Sequence, residues 1–374
     1  MPALHDHIDE GGLEEFSVVF TDRSLNHMSA RFQGVMRDIG AMLREVYGAS
    51  AVALVPGGGT YGMEAVARQF GQGRVLVIRN GWFSFRWSQI FDAGAFATET
   101  TVLMARQTGN HPRAPYAPPP VDEVVAKIRE TRPEAVFAPH VETSAGIILP
   151  DNYIATVAAA AHEVGALMVL DCIASGCVWV DMAATGVDVL ISAPQKGWSA
   201  SPSAGLVMLS PLAEARLATT TSNSFALDLK KWRSIMAAYE GGGHAYHATM
   251  PTDALRGFRD AMLETQAMGW AEAKAAQWDL GRAVRAMLAA RGAASVAAEG
   301  FQAPGVVVSY TDEPEVQNGK RFVAQGLQIA AGVPLQVGEG PEFRTFRLGL
   351  FGLDKLADVP GTLARLERAV EAAL

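Results

Sequence analysis

Lys196 closes an apolar, β-branched run, Val187-Asp188-Val189-Leu190-Ile191-Ser192-Ala193-Pro194-Gln195-Lys196-Gly197. The run predicts a buried strand that ends in a small-residue turn holding one lysine. An amine in a dry pocket resists protonation, so it is free to attack a carbonyl and form a Schiff base. A second apolar run, Ala166-Leu167-Met168-Val169-Leu170, ends at Asp171, 25 residues upstream. A lysine and a carboxylate at neighbouring strand ends meet two needs of pyridoxal 5'-phosphate. The lysine holds the aldehyde carbon, and the aspartate keeps the ring nitrogen protonated so that the ring accepts electrons. Taken alone, a surface lysine after a strand is the simpler reading. Further features reverse that balance.

Pro56-Gly57-Gly58-Gly59-Thr60 follows the first expected strand and opens a helix. Glycine lets a backbone approach an anion, and the free amides and dipole of a helix start attract phosphate. The segment lacks the lysine of a P-loop and the spacing of a dinucleotide fingerprint. By itself it also fits an ordinary tight turn. With Asp171 and Lys196 downstream, Gly58, Gly59 and Thr60 read as a cradle for the cofactor phosphate. Asn80-Gly81-Trp82-Phe83 places aromatics at the top edge of the sheet, where one could stack on a pyridine ring. Core packing is the alternative for Phe83. Arg347 lies between apolar Phe346 and Leu348 in a strand, so it is expected to face a cleft. Its planar fork suits a substrate carboxylate. A surface ion pair is the alternative and fits Arg344 better, which leaves Arg344 as the second candidate for the clamp. His244, His247 and Asp253 form no recognised ligand set, so no metal is expected.

The elements that must position these residues are legible in the periodicity. Ser29 to Tyr47 has helical apolar spacing. Strands are expected at 52–55, 74–78, 135–138, 166–170, 187–192 and 204–209, and helices at 61–70, 84–93, 121–130 and 153–164. Near-continuous apolar strands alternating with helices predict an α/β fold, a mostly parallel sheet sandwiched by helices. Ligands then sit at the carboxyl ends of the strands. A long helical pattern from Asp253 to Arg291 is expected to lead into a smaller α+β C-terminal domain. The expected division is an N-terminal arm over 1–20, a large domain over 21–252 and a small domain over 253–374.

At 374 residues the chain is long enough for about two domains. Hydrophobic residues make up 49% and charged residues 19%, which fits a well-buried enzyme and excludes a disordered chain. A net charge of −8 argues against nucleic-acid or anionic-membrane partners. Cys172 and Cys177 are expected to be small buried hydrophobes, not a disulfide framework. Met1 to His7 shows no signal-peptide pattern. The longest apolar stretch, Tyr153 to Ile173, is interrupted by His162, Glu163 and Asp171 and reads as helix, turn and strand. A soluble cytoplasmic protein is expected.

Together these motifs resemble class V aminotransferases of pyridoxal phosphate fold type I, most closely the alanine–glyoxylate and serine–glyoxylate group. Gly58-Gly59-Thr60 with Met63-Glu64-Ala65 is similar to that family's phosphate loop, and Asn80-Gly81 with Phe83 to its ring-stacking segment. His140-Val141-Glu142-Thr143-Ser144-Ala145-Gly146 resembles its loop in which a serine, here Ser144, reaches the ring hydroxyl side. The resemblance makes Asp171 the ring-nitrogen partner and Ile173 the apolar residue on the other ring face. It makes Lys196 the Schiff-base lysine, with Gln195 near the phosphate. Tyr246-His247-Ala248-Thr249 resembles the segment whose tyrosine and threonine reach the neighbouring subunit's phosphate, which implies a homodimer. Phe346-Arg347-Leu348-Gly349 resembles the carboxylate-clamp segment. The resemblance spans roughly residues 26 to 352.

It implies ping-pong transfer of an amino group from an alanine- or serine-type donor to a 2-oxo acid such as glyoxylate or pyruvate. Two departures are plain. The family's opening Gly-Pro-Gly-Pro segment is absent, with Phe16-Ser17-Val18-Val19-Phe20-Thr21-Asp22-Arg23 in its place. Asn26 to Phe32 is a degraded version of the family's Asp-His-Arg-Gly-Pro-Glu-Phe stretch. A 2-aminoethylphosphonate transaminase or a lyase on the same fold is therefore an alternative. A desulfurase would need a late nucleophilic cysteine and a histidine before the lysine, whereas this chain has Gln195 and no cysteine after Cys177. A non-catalytic binding protein has little need of Lys196.

Overall fold

The computed structural model describes residues 4–374, so residues 1–3 of the expected N-terminal arm lie outside the described residues. Apolar, β-branched runs build the large sheet. In chain order its strands are β1 (Ala51–Pro56), β2 (Arg74–Arg79), β3 (Glu99–Met104), β4 (Ala135–Pro139), β5 (Leu167–Asp171), β6 (Val189–Ser192) and β7 (Ala204–Leu209). The seven pair in the order β1-β7-β6-β5-β4-β2-β3. β7 runs antiparallel to both neighbours, and every other pair is parallel. The central strands are buried along their whole length, as near-continuous apolar runs require when helices cover both faces. Edge strand β3 keeps Glu99 and Met104 exposed.

The register sets the chemistry. Pro139 pairs with Asp171 and Asp171 with Ile191, so the carboxyl ends of β4, β5 and β6 are level. Lys196 follows β6 by one tight turn. Helices α1 (Ala30–Tyr47), α2 (Gly59–Phe70) and α3 (Trp82–Gly94) pack on the sheet. Ser29 caps α1, its Oγ accepting from Phe32 N at 3.1 Å. The starts of α2 and α3 follow β1 and β2 directly, which brings two helix N-termini to the same sheet edge.

Close packing holds α2 in place. A Cβ built on Gly205 of β7 would lie 2.6 Å from both Cα and N of Gly62 in α2. Backbone cannot yield there as a side chain would, so Gly205→Ala should cost about 1–3 kcal/mol of stability. Chemical denaturation reads this directly. An unchanged midpoint would mean that α2 slides freely on the sheet.

The expected helical pattern from Asp253 to Arg291 is two helices, α4 (Thr252–Met268) and α5 (Trp270–Ala289). Gly269 separates them at φ +96, a backbone state that glycine adopts without penalty. α4 packs on α1, whereas α5 packs on the C-terminal helix α6 (Val359–Ala373). Short strands β8 (Val306–Tyr310), β9 (Ala330–Ala331) and β10 (Thr345–Gly349) form a second, antiparallel sheet in the order β8-β10-β9. No helix of the described residues is long and apolar enough to cross a membrane.

Candidate active site

A cavity of about 520 Å³ opens at the carboxyl edge of the large sheet, closed on one side by β10. Gly59, Thr60, Phe83, Asp171, Ile173, Gln195, Lys196 and Arg347 all line it. A larger cavity, about 890 Å³, lies under the N-terminal arm among residues such as Asp9, Phe16 and Arg31. It shares no lining residue with the smaller cavity, and the exposed Leu13 and Phe16 of the arm line it. The chemistry belongs to the smaller cavity, where an amine, a carboxylate and guanidinium groups converge.

Burial holds the Lys196 amine below its ordinary pKa, and the nearby Arg347 and Arg86 cations push the same way. Its Nζ lies 5.8 Å from the centroid of the Phe351 ring. Asp171 is 8% exposed. Burial raises its carboxyl to about 7; the Ile173 N–H, donating to Oδ1 at 2.9 Å, opposes that rise, Glu142 adds to it and Arg86 opposes it. A buried carboxyl poised near neutrality is held ionised by any cationic N–H brought against it.

The glycine cradle has a steric reason. Gly58 stands at the N-cap of α2 with no side chain to cap it, so the first amides of the helix lack acceptors. A Cβ on Gly59 would lie 2.5 Å from Ile173 Cδ1, so only glycine lets Ile173 press against the helix start. Gly58 adjoins the cavity without lining it. The Gln195 Oε1 is buried with no hydrogen-bond partner among the described residues.

Phe83 is held by a cap from another element. Glu142, fully buried, accepts from Phe83 N at 3.1 Å, from Ser84 N at 2.9 Å and from Ser84 Oγ at 2.6 Å. This carboxylate satisfies the start of α3 and its positive dipole end. The guanidinium carbons of Arg86 and Arg347 each lie 5.4 Å from the Phe83 ring centroid. Arg347 is 9% exposed, and its Nε donates to Ala331 O at 2.8 Å across the β9–β10 ladder. That bond aims the remaining N–H groups. Arg344 is turned away, donating from Nη1 to Asp312 O at 2.6 Å, and does not line the cavity.

Three expected residues lie elsewhere. Ser144 is spent as a cap: its Oγ donates to Glu142 Oε1 at 2.6 Å and accepts from Trp82 N at 2.9 Å. Its neighbour Thr143 lines the cavity instead. Both residues belong to the turn that joins the short strands Val141–Glu142 and Ile147–Ile148, where no simple period says which side chain meets the cavity. Tyr246, 54% exposed, and Thr249 share a 3.0 Å hydrogen bond between hydroxyls, outside the cavity of their own chain. Arg86 was missed by sequence reasoning, although it stands one helical turn after Phe83 and shares its face. Phe351 and the strip Gln328-Ile329-Ala330, which also line the cavity, follow no motif.

The donor set fits pyridoxal phosphate: a desolvated amine, a buried carboxyl, an aromatic ring and a branched aliphatic chain to flank a planar ring, and a bare helix start for a dianion. The chain belongs to the class V aminotransferases. The model of the family described as "Aminotransferase class-V" matches residues 15–332. Membership makes the protein a transaminating enzyme and implies pyridoxal phosphate as its cofactor.

Among curated relatives, the "Soluble hydrogenase, small subunit" of a Synechococcus species is 27% identical over 88% of this chain and 83% of its own length. A "2-aminoethylphosphonate--pyruvate transaminase" of Burkholderia ambifaria is 28% identical over 94% of this chain and 89% of its own. Among solved structures, an alanine–glyoxylate aminotransferase of a Nostoc species superposes with a TM-score of 0.79, 21% identity and coverage of 93% and 88% of the two chains. At that identity the likeness carries the fold alone.

Proposed function

We propose that this enzyme moves an amino group from a small donor of the alanine or serine type to a 2-oxo acid such as glyoxylate or pyruvate. The observation that carries the reading is the desolvated Lys196 amine with Arg347 beside it and Asp171 in the same cavity. Pyridoxal phosphate supplies the carbonyl carbon that takes up the amino group and the electron sink that makes the substrate Cα–H acidic. The protein supplies the rest. Arg347 binds the substrate carboxylate through the N–H groups that Ala331 leaves free. Lys196 Nζ, whose burial disfavours its protonated form, would take the α-proton and hand it back. Asp171 would hold a proton on the ring nitrogen. Phe83 and Ile173 would flank the ring, Thr143 would serve on the ring hydroxyl side in place of Ser144, and Gly58, Gly59, Thr60 and Gln195 would hold the phosphate. The second half-reaction retraces the same proton path with the 2-oxo acid on Arg347.

Arg347→Ala should raise KM for both the amino donor and the 2-oxo acid about 10- to 100-fold, the range for losing a charge-assisted pair. Steady-state kinetics with each substrate varied measures this, and unchanged KM values would remove Arg347 from substrate binding.

A second reading has specific support: several relatives at 27–28% identity are named 2-aminoethylphosphonate–pyruvate transaminases. A phosphonate suits the Arg347 fork as well as a carboxylate does. One experiment separates the readings. The absorbance of the cofactor-loaded protein is followed on adding alanine, serine, aspartate, cysteine or 2-aminoethylphosphonate. The donor that bleaches the visible band reversibly, with a 2-oxo acid restoring it, is the substrate. A band indifferent to every donor would defeat both.

The exposed Tyr246–Thr249 pair, outside its own cavity, supports a homodimer in which each subunit completes the other's phosphate site. A monomeric mass in solution with full activity would refute that assembly. We further propose a large domain over 21–252 and a small one over 253–374 after the arm, with α4 bridging them. The cytoplasm is the proposed compartment, in keeping with two free, buried cysteines.

A further inference from the structure

We propose that Arg86 is a ligand of the cofactor phosphate, the cation that the glycine cradle itself lacks. The proposal rests on the reading of the cavity as a pyridoxal phosphate site. Arg86 lines that cavity together with Thr60. Its Nη1 donates to Thr60 Oγ1 at 3.0 Å. Thr60 is the second residue of α2, where the free amides and positive dipole end are found. Because the Thr60 hydroxyl accepts from Arg86, its own proton is left to donate outward. Arg86, Thr60 and the helix start therefore offer one convergent set of donors.

Several other arginines are spent on carboxylates. Arg68 pairs with Glu64 at 2.6 Å and Arg233 with Glu214 at 3.1 Å, and Arg44 pairs with Glu240. Among the described residues Arg86 has no carboxylate at ion-pair distance, and its one polar contact is a neutral hydroxyl. The Phe83 ring holds its guanidinium in place. A helix start offers about half a unit charge to a phosphate that carries nearly two. A guanidinium supplies the missing charge and two parallel donors. Arg347, on the same ring, then remains for a single substrate anion, which suits donors with one acidic group.

The test compares two probes on cofactor-free protein: pyridoxal phosphate, and pyridoxal, which has the aldehyde and ring without the phosphate. Both titrations are followed by the visible band of the lysine-bound cofactor. Arg86→Gln should weaken pyridoxal phosphate about 10- to 100-fold and leave pyridoxal unchanged. Arg86→Lys should recover part of that loss. Equal losses for both probes would mean that Arg86 only props Phe83 and Thr60, and would overturn the proposal. So would unchanged pyridoxal phosphate affinity with a raised KM for the amino donor, which would assign Arg86 to the substrate. Wild-type protein that binds neither probe would overturn the cofactor reading itself, an outcome distinct from the other two.

Discussion

Lys196→Ala should lose turnover by more than about 10⁴-fold and lose the visible band of the lysine-bound cofactor. Two roles end together. The amine that holds the cofactor aldehyde disappears, and so does the base that moves the α-proton. The site gives no substitute. The other basic groups in the cavity are Arg86 and Arg347, and a guanidinium stays protonated in this pH range. The cavity itself should persist, because the Lys196 turn is held by backbone bonds such as Ser199 N to Lys196 O at 3.1 Å and Ala200 N to Pro194 O at 3.1 Å. The variant is therefore expected to fold, to bind the cofactor without covalent capture, and to regain some turnover when a small primary amine is added. A folded variant that keeps both band and turnover would take Lys196 out of the mechanism.

Asp171→Asn should cut turnover of the loaded enzyme about 10²- to 10³-fold, the usual effect of removing one buried group that stabilises developing charge. An amide accepts a hydrogen bond from a ring N–H but carries no charge to keep that proton in place. The cofactor-free protein should respond in the opposite sense. Folding raises the Asp171 carboxyl from 3.8 to about 7, chiefly by burial. Between those values the folded state binds more protons than the unfolded one, so stability falls as pH rises through the window. Asn carries no such penalty. The cofactor-free variant should gain on wild type from about pH 4 upward, by about 4 kcal/mol once pH exceeds 7. Thermal midpoints at pH 5 and pH 8 check this. A difference between the proteins that stays constant with pH would deny that the carboxyl is desolvated.

Much of this architecture is legible in the chain because it rests on local regularities. Runs such as Leu167–Leu170 and Val189–Ile191 are apolar throughout, and only strands covered on both faces need that pattern. The ends of those runs locate Asp171 and Lys196 directly, since a strand's last residue is where the chain turns toward a ligand. Glycine at 59 announces a close approach, although not to which partner. Ile173, the side chain against it, comes from more than a hundred residues later in the chain.

Other features depend on geometry that no local window contains. Thr143 and Ser144 are neighbours of similar chemistry in one turn, and Thr143 lines the cavity while Ser144 is engaged by Glu142 and the α3 start. Arg86 and Arg344 differ in the same way. Each is an arginine in a plausible place, but Arg86 reaches Thr60 while Arg344 is satisfied by the Asp312 carbonyl. Gly269 divides a helical pattern whose two halves must pack on different partners.

The amino-acid order by itself determined most of the element sequence, the strand ends that bear the amine and the carboxyl, and the glycine-rich start of α2. Each of these follows from side-chain periodicity or backbone freedom within about ten residues. Edge strand β3, largely half-exposed, was not among the expected strands. The tertiary structure alone decided the antiparallel insertion of β7 between β1 and β6, which residue of the hairpin turn lines the cavity and the pairing of Arg86 with Arg347 around one aromatic ring. These are contacts between segments far apart in the chain. Their energies depend on burial and close approach, quantities that exist only once the chain has folded.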